Sequence, residues 1–246
     1  MEKRNKVAAV VLAGGQGKRM GTTTAKQYLL LDGKPVLYYA LRAFEESCVD
    51  SIVLVTGEQE TEYCREEIVN RFGFGKVSHI VPGGKERYHS VANGLAALEQ
   101  ESPGIVLIHD GARPFVTASM IADLVRETEK SGACVTGTPV KDTIKIADEE
   151  GFCAKTPPRK MVWAVQTPQA FSFPLAAHAY RKLLEEEKKL QRQGVQITDD
   201  AMVVEYMTSR KVRLVQGEYT NIKLTTPEDL LIAEAFLQKK KDRKNI

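Results

Sequence analysis

The chain has 246 residues, of which 43% are hydrophobic and 27% charged, and its formal net charge is +3. This composition is typical of a globular protein with a packed core, and the length suits one large α/β domain. A net charge so close to zero argues against bulk nucleic-acid binding, which requires a strongly basic face. The four cysteines include no C-x-x-C pair, so a zinc or thiol–disulfide site has little support.

The chain starts with MEKRNK, followed directly by VAAVVLA. This apolar run is too short for a membrane-spanning helix and ends too abruptly for a signal peptide. We therefore expect a cytoplasmic protein with reduced cysteines and no membrane contact. The basic segment KKKDRKN, residues 239–245, is either a nucleic-acid or membrane patch or the solvated end of a helix. We favour the helix end, because cations are stabilising near the negative pole of the helix dipole.

Short apolar runs alternate with helical patterns along most of the chain. The runs rich in valine and isoleucine predict strands buried on both faces, at residues 7–13, 52–56, 77–81, 105–109, 133–140 and 212–215. The amphipathic stretches between them predict helices at residues 35–46, 61–72, 90–100, 119–131 and 174–193. This alternation predicts an α/β fold with a Rossmann-like, mostly parallel sheet and helices on both faces. We expect a single domain over residues 1–246.

Residues 141–171 interrupt this alternation. Two β-like stretches flank the turn-like sequence DEEG, and Pro157 and Pro158 lie on the returning stretch. One interpretation is a hairpin at the edge of the sheet, and the other is an arm that leaves the core and packs on a second subunit. We delimit this β-arm insertion as about residues 139–165.

Two later segments carry signals for helix starts. The sequence TDD, residues 198–200, precedes AMVVEYM and is typical of an N-cap with acidic residues in the first turn. Asp199 and Asp200 are therefore expected to be structural. In TTPEDL, Thr226 is the expected cap and Pro227 the first helical residue.

The glycine-rich stretch LAGGQGKRM follows the first predicted strand, as phosphate-binding loops do. It lacks the P-loop pattern, and Met20 interrupts the dinucleotide fingerprint G-x-G-x-x-G. The remaining type is a loop whose backbone N–H groups surround a triphosphate, which requires glycines because the backbone must approach the anion closely. The alternative is a tight strand–helix turn with incidental charges.

Asp110 lies at the carboxyl end of the strand-like sequence IVLIHD. Ligands of open α/β sheets bind beyond those ends. A single carboxylate in this position suits Mg²⁺, which takes its other ligands from phosphate oxygens and water. The alternative is a structural carboxylate that pairs with Arg113.

Seven motifs together resemble one enzyme family. They are LAGGQGKRM with KQY, PGGKERYHSVANGL, IHDGARPF, PVKDTIK, QTPQAF, ITDDA and NIKLTTPEDL, and they cover nearly the whole chain in order. In this respect the chain resembles the 2-C-methyl-D-erythritol 4-phosphate cytidylyltransferases, in the sugar-phosphate nucleotidyltransferase superfamily. Two departures, Ala25 in place of the family's usual proline and Gly111 in place of its usual alanine, leave the charged groups unchanged.

The resemblance implies transfer of CMP from CTP to 2-C-methyl-D-erythritol 4-phosphate, with release of pyrophosphate and with Mg²⁺ as cofactor. It implies that Arg19 and Lys26 stabilise the transition state and that Arg159 and Lys223 position the acceptor. The CTP-binding residues that it implies are Leu12, Ala13, Gly14, Gly15, Gly17, Arg19, Lys26, Gly83, Gly84, Ser90 and Asp110. The acceptor-binding residues that it implies are Asp110, Arg113, Thr143, Arg159, Thr198 and Lys223, with Asp110 also the metal ligand.

The family analogy further implies a homodimer in which the arm carries Arg159 to the neighbouring active site. An alternative role for the Ser90 hydroxyl is that of a helix N-cap. Two other functions remain open at this point. One is a ribitol-5-phosphate cytidylyltransferase, which shares the glycine loop, the D-x-A-R-P-F motif and the lysine of NIK. The other is a non-catalytic nucleotide-binding protein on the same scaffold, although such a protein is expected to have lost a charge-neutralising residue.

Overall fold

A computed structural model describes residues 5–15 and 25–242 of the chain. Its strands, in chain order, are β1 (Val7–Ala13), β2 (Leu30–Leu31), β3 (Lys34–Pro35), β4 (Ser51–Thr56), β5 (Val77–Pro82), β6 (Ile105–Asp110), β7 (Ala133–Pro139), β8 (Ile146–Ala147), β9 (Cys153–Lys155), β10 (Trp163–Ser172) and β11 (Arg213–Gln216). Its α-helices are α1 (Val36–Glu45), α2 (Thr61–Tyr63), α3 (Arg87–Ala97), α4 (Ala118–Ser131), α5 (Phe173–Arg192), α6 (Asp200–Thr208) and α7 (Pro227–Asp242). Helix α2 continues into a π-helical stretch, Cys64–Asn70.

Seven of these strands form one twisted sheet in the order β11-β7-β10-β6-β1-β4-β5. Neighbouring strands are parallel except at β10, which runs antiparallel to both β6 and β7. The predicted α/β class and mostly parallel sheet are therefore confirmed. The six predicted strands are all present in the sheet.

Strand β10 corrects the expectation for the irregular segment. The returning half of that segment is not an edge hairpin, because β10 lies between β6 and β7 in the interior of the sheet. The short strands β8 and β9 form a separate two-stranded sheet whose residues are all exposed. Only the part of the segment that precedes β10, which we call the arm, therefore lies outside the seven-stranded sheet.

Helices cover both faces of the sheet. Alternate residues of β1 point to opposite faces, so they belong to two different core clusters. Val7, Ala9 and Val11 belong to a core cluster that includes apolar residues of α1, the π-helical stretch and α4. Ala8 and Val10 belong to a second cluster with apolar residues of α3, α5 and α6. Strands buried on both sides explain why their sequences are continuously apolar.

A third, smaller cluster joins α7 to the β2–β3 hairpin through Leu31, Leu224 and Ala233. Among the described residues, no helix combines the length and the apolar character that crossing a bilayer requires.

The helix starts follow local capping chemistry. Helix α3 begins at Arg87, three residues before the predicted start, because Glu86 and His89 form a reciprocal capping box. The alternative role of Ser90 as an N-cap is therefore wrong. Asp199 caps α6, since its carboxylate accepts a hydrogen bond from the Met202 backbone at 2.9 Å. Helix α7 begins at Pro227, as predicted.

Candidate active site

The strand register brings the predicted site motifs to one edge of the sheet. Leu12, before the glycine loop, lies opposite Asp110 at the end of β6. On the other side of β1, Ala13 lies opposite Thr56, which in turn lies opposite Pro82. Strand β1 pairs with β6 on one side and with β4 on the other. Ligands of open α/β sheets bind at such a point, where successive strands are added on opposite sides of the first.

A cleft of about 1290 Å³ opens at this edge. The predicted site residues that line it are Leu12, Gly14, Gly15, Lys26, Gly83, Gly84, Ser90, Asp110 and Lys223. Ala13 lies just behind the cleft wall, where it is buried and its carbonyl accepts a hydrogen bond from the Gln27 side chain. Gly17 and Arg19 lie outside the described residues.

The Gly83–Gly84 turn lies tightly against the end of β4. The Gly83 backbone N–H donates to the Thr56 carbonyl at 2.7 Å. A Cβ atom on Gly83 would lie 2.8 Å from Ser90 Oγ, so glycine is required for this close approach. The Ser90 hydroxyl accepts a hydrogen bond from the Gly84 N–H at 3.1 Å, which ties the turn to the first turn of α3.

Asp110 lies between two cations. Arg87 Nε donates to its Oδ1 at 3.3 Å, and Lys223 Nζ lies 2.7 Å from its Oδ2. Burial alone raises the pKa of this carboxyl, but the Arg87 and Lys223 charges outweigh burial and hold the pKa well below its usual range. The carboxylate is therefore ionised at neutral pH.

Arg113 is not the direct ion-pair partner of Asp110 that the alternative required. Its Nη1 donates to the Asn221 carbonyl at 2.8 Å. The Asn221 amide in turn donates to the Thr167 carbonyl at 2.9 Å, and the Leu224 N–H donates to the Ala112 carbonyl at 2.9 Å. These bonds hold the NIK segment against the DGARP turn, and this contact places Lys223 beside Asp110.

A second cavity of about 320 Å³ adjoins the cleft. Both are lined by Arg87, Asp110 and Lys223. The second cavity is also lined by Arg113 and Thr198, so the structure brings four of the six expected acceptor residues together. Among the described residues, Arg113 Nε is one of two buried side-chain nitrogen or oxygen atoms without a hydrogen-bond partner.

The other two expected acceptor residues, Thr143 and Arg159, lie on the exposed arm. Arg159 Nη1 donates to the Lys141 carbonyl at 3.0 Å. Neither residue is among those lining the two cavities of the same chain. Within one described chain, the predicted acceptor site is therefore only partly assembled.

Sequence reasoning missed Arg87 and the contact it makes. Both nitrogens of its guanidinium tip donate to the carboxylate of Asp200, at 2.7 and 2.8 Å. Asp200 was expected to be structural. It pairs with Arg87, and because Arg87 lines both cavities, Asp200 is connected to the candidate site through it. The signal was available, because Arg87 lies inside the PGGKERYHS motif.

The family model described as IspD, 2-C-methyl-D-erythritol 4-phosphate cytidylyltransferase, matches residues 7–239. A protein of that name from Lachnoclostridium phytofermentans is 49% identical over 96% of this chain and 98% of its own length. Another of that name, from Caldanaerobacter subterraneus subsp. tengcongensis, is 47% identical over 95% of this chain and 99% of its own.

A crystal structure of 4-diphosphocytidyl-2C-methyl-D-erythritol synthase from Anaerococcus prevotii superposes with a TM-score of 0.82 at 34% identity, covering 95% of this chain and 96% of that one. The chain belongs to the 2-C-methyl-D-erythritol 4-phosphate cytidylyltransferase family. The resemblance inferred from the motifs is thus confirmed. The chain is a nucleotidyltransferase enzyme, and the family name favours a methylerythritol acceptor over the ribitol alternative.

The family assignment accounts for the two adjoining cavities. A cytidylyltransferase must hold a nucleoside triphosphate and a phosphorylated acceptor side by side. The cleft and the smaller cavity are two adjoining spaces that share Arg87, Asp110 and Lys223.

Proposed function

We propose that the cleft binds CTP, that the smaller cavity binds 2-C-methyl-D-erythritol 4-phosphate, and that transfer occurs where they meet. The observation that supports this assignment is that both cavities are lined by Arg87, Asp110 and Lys223. Reacting groups of the two substrates must come within a few ångströms of each other, so the residues at the junction are those closest to the chemistry.

In the proposed reaction, a phosphate oxygen of the acceptor attacks the α-phosphorus of CTP. The bond between that phosphorus and the bridging oxygen to the β-phosphate breaks, and pyrophosphate leaves. The new bond joins the acceptor phosphate to CMP as a diphosphate. Such a transfer needs little covalent help from the protein, but it needs two anions held in line and their charge neutralised.

The residues around the cleft match the needs of CTP. Lys26 lines it beside Gly14 and Gly15, where backbone N–H groups can approach phosphate oxygens. We assign Lys26 and Arg19 to charge stabilisation in the transition state. The Gly83–Gly84 turn and the Ser90 hydroxyl lie along the same cleft, and we assign them to the cytosine base and ribose.

The smaller cavity carries the charge that a phosphorylated polyol requires. Arg113 and Lys223 supply two cations, and Thr198 supplies a hydroxyl. The buried Arg113 Nε without a protein partner supports a role in binding an anion. We assign Lys223, together with Arg159, to positioning the acceptor phosphate for attack.

We propose Mg²⁺ as the cofactor, held by Asp110. The described residues contain no group of three or more His, Cys, Asp or Glu side chains suited to a metal. A single carboxylate fits Mg²⁺, which commonly takes its remaining ligands from substrate phosphates and water. When bound, the ion would neutralise charge on the phosphates of CTP.

We further propose that the enzyme is a homodimer built through the arm. The arm and the start of β10 expose large apolar side chains, namely Ile146, Phe152, Met161 and Val165. Exposed large apolar side chains concentrated in one segment support a protein–protein contact there. Such a dimer would let Thr143 and Arg159 of one chain complete the acceptor cavity of the other.

A cytoplasmic location is part of the same proposal. All four cysteines are free thiols in the structure, as expected for a protein that folds in a reducing compartment.

Pyrophosphate release tests the proposed reaction. We expect release from CTP and Mg²⁺ only when 2-C-methyl-D-erythritol 4-phosphate is present, and far slower release with ribitol 5-phosphate. Mass spectrometry of the product should show a cytidine diphosphate ester of the methylerythritol. Release of equal or greater rate with ribitol 5-phosphate would reverse the acceptor assignment, and no release with either would contradict the proposal.

A further inference from the structure

We propose that Arg87, anchored by Asp200, is a positioning residue that holds the Asp110 carboxylate in the orientation the reaction requires. This inference deepens the proposed function and rests on it. It adds to the site a pair of residues that the family's motifs contain but that the sequence did not single out for the reaction.

Asp200 fixes the guanidinium of Arg87 in one plane. The Arg87 Nη1 and Nη2 atoms donate to the two carboxylate oxygens of Asp200, at 2.7 and 2.8 Å. The Asp200 side chain is fully buried, at 0% exposure, and the Tyr180 hydroxyl also donates to its Oδ1. A bidentate pair of this kind restricts both groups more strongly than a single hydrogen bond does.

Because Asp200 anchors the tip of the Arg87 side chain, the Nε–H group of Arg87 is also fixed in position. That group donates to Asp110 Oδ1 at 3.3 Å. The other oxygen, Oδ2, is contacted by Lys223 Nζ at 2.7 Å, and lysine is a flexible chain with a point charge. One oxygen of Asp110 is thus held by an anchored group and the other by a movable group. The anchored contact determines the direction in which the carboxylate points.

The electrostatics support a lasting positive charge in this position. Burial lowers the pKa of Arg87, but the carboxylates of Asp200 and Asp110 outweigh burial and raise it well above its usual value. In this structure the guanidinium is paired with both carboxylates. The negative charge of Asp200 balances the positive charge of Arg87. Arg87 therefore orients Asp110 without adding net charge where the two cavities meet.

The competing explanation is that the pair only ties α3 to α6. A purely structural tie would change stability when it is cut, but would leave the metal dependence of the remaining folded enzyme unchanged. A positioning role changes metal dependence, because groups that orient a metal ligand typically alter metal affinity or activity 10–100-fold. Metal dependence therefore separates the two explanations.

Two variants test the inference. Asp200→Asn keeps the shape of the anchor and removes its charge, and Arg87→Lys keeps the positive charge and removes the two-bond clamp. We expect each to lower kcat by roughly 10–100-fold and to raise the Mg²⁺ concentration for half-maximal rate by about tenfold. At saturating Mg²⁺ the KM for CTP should change by less than about threefold, because neither variant replaces a residue that we assign to the nucleotide.

A binding measurement gives a readout that does not depend on turnover. Each protein is titrated with CTP in a calorimeter, once in Mg²⁺ and once in EDTA. The difference in affinity measures how much the metal strengthens nucleotide binding. We expect both variants to bind CTP in EDTA like the native enzyme and to lose most of the gain that Mg²⁺ provides.

Tyr88→Phe is the matched control. Tyr88 follows Arg87 on α3 and its hydroxyl donates to Glu187 at 2.8 Å, which ties α3 to α5 without contacting Asp110. We expect native Mg²⁺ dependence in this variant. Circular dichroism and thermal unfolding establish folding, and if Asp200→Asn does not fold, Arg87→Lys alone decides the question because its side chain is 30% exposed.

Native Mg²⁺ dependence and a native calorimetric gain in folded Arg87→Lys would overturn the positioning role. This outcome is distinct from failure of the proposed function. That failure would appear as a native enzyme that transfers nothing from CTP to 2-C-methyl-D-erythritol 4-phosphate, whatever the variants bind.

Discussion

At the scale of single residues, the site depends on charges placed where the strands end. The cleft and the smaller cavity meet at one carboxylate and two cations, and further cations line each of them. Lys26 in the cleft and Lys223 at the junction carry compact ammonium charges on long side chains, whereas Arg87 and Arg113 carry planar guanidinium groups. This division suits a reaction in which phosphates arrive, react and leave.

Replacing Lys26 by alanine should lower turnover about 10³-fold, equivalent to about 4 kcal/mol of transition-state stabilisation. The reason is that an ammonium group beside the glycine loop neutralises charge that develops during transfer. Steady-state pyrophosphate release measures the effect. Lys34→Ala is the control, since Lys34 Nζ bonds Tyr38 outside the cleft. Near-normal turnover in a folded Lys26→Ala enzyme would contradict the assignment.

His109 makes the stability of the protein depend on pH. It is fully buried, and burial lowers its pKa to about 3, although the nearby Asp110 charge opposes this shift. In the unfolded chain the imidazole takes a proton near its ordinary pKa of about 6.5. Between those values the unfolded state binds more protons, so stability falls as pH falls.

We expect the His109 effect to cost about 2 kcal/mol of unfolding free energy between pH 7 and pH 5. Urea denaturation at the two values measures it. The glutamine of His109→Gln cannot take this proton. Between pH 7 and pH 5 the unfolding free energy of this variant should therefore fall by about 2 kcal/mol less than that of the native protein. Parallel curves for the two proteins would show that His109 is not the cause.

At the scale of secondary-structure elements, α3 is the element that joins the sheet to the site. Its first residue is Arg87, and its face toward the sheet contains Gly94. A Cβ atom on Gly94 would lie 2.5 Å from Val10 Cγ1 and 3.1 Å from Val55 Cγ2. The helix therefore packs closer to β1 and β4 than an alanine would permit.

Gly94→Ala should destabilise the protein by about 1–3 kcal/mol, because overpacking against stiff, buried valines outweighs the gain in helix propensity of about 1 kcal/mol. The unfolding free energy in urea tests this balance. Gly75→Ala is the comparison, since a Cβ there meets only Glu45 Oε1 at 3.5 Å. A Gly94→Ala protein as stable as the native one would show that α3 shifts without cost.

At the scale of the whole molecule, we propose that the arm of a second chain completes the active site. Thr143 and Arg159 lie away from both cavities in a single chain. A dimer through the exposed apolar side chains of the arm would supply them from the second chain. Light scattering of the native protein measures the assembly.

Hybrid dimers test the shared site. In a dimer of one Lys26→Ala chain and one Arg159→Ala chain, one site loses both residues and the other keeps both. We therefore expect about half of native activity in isolated, differently tagged hybrids. Hybrids of Lys26→Ala with Lys223→Ala chains are the matched control and should stay inactive, because both residues line the same chain's cleft. No recovery in the first hybrid would remove support for sharing.

Several features of the fold and of the candidate site can be predicted from the local sequence. Strands with continuous valine and isoleucine predict a sheet covered on both faces, and the structure confirms it. The glycine loop and Asp110 follow strands whose carboxyl ends must meet in a parallel sheet, so their proximity was predictable. These features depend on periodicity and chain direction, which neighbouring residues encode.

Other features needed the tertiary structure. Strand β10 lies inside the sheet between β6 and β7, although its polar residues Gln166, Thr167 and Gln169 do not indicate burial. Arg87 and Asp200 are 113 positions apart, and nothing in the sequence around either residue indicates its partner. Their pairing depends on how α3 and α6 pack on one face of the sheet, and long-range packing of this kind is not written in any local pattern.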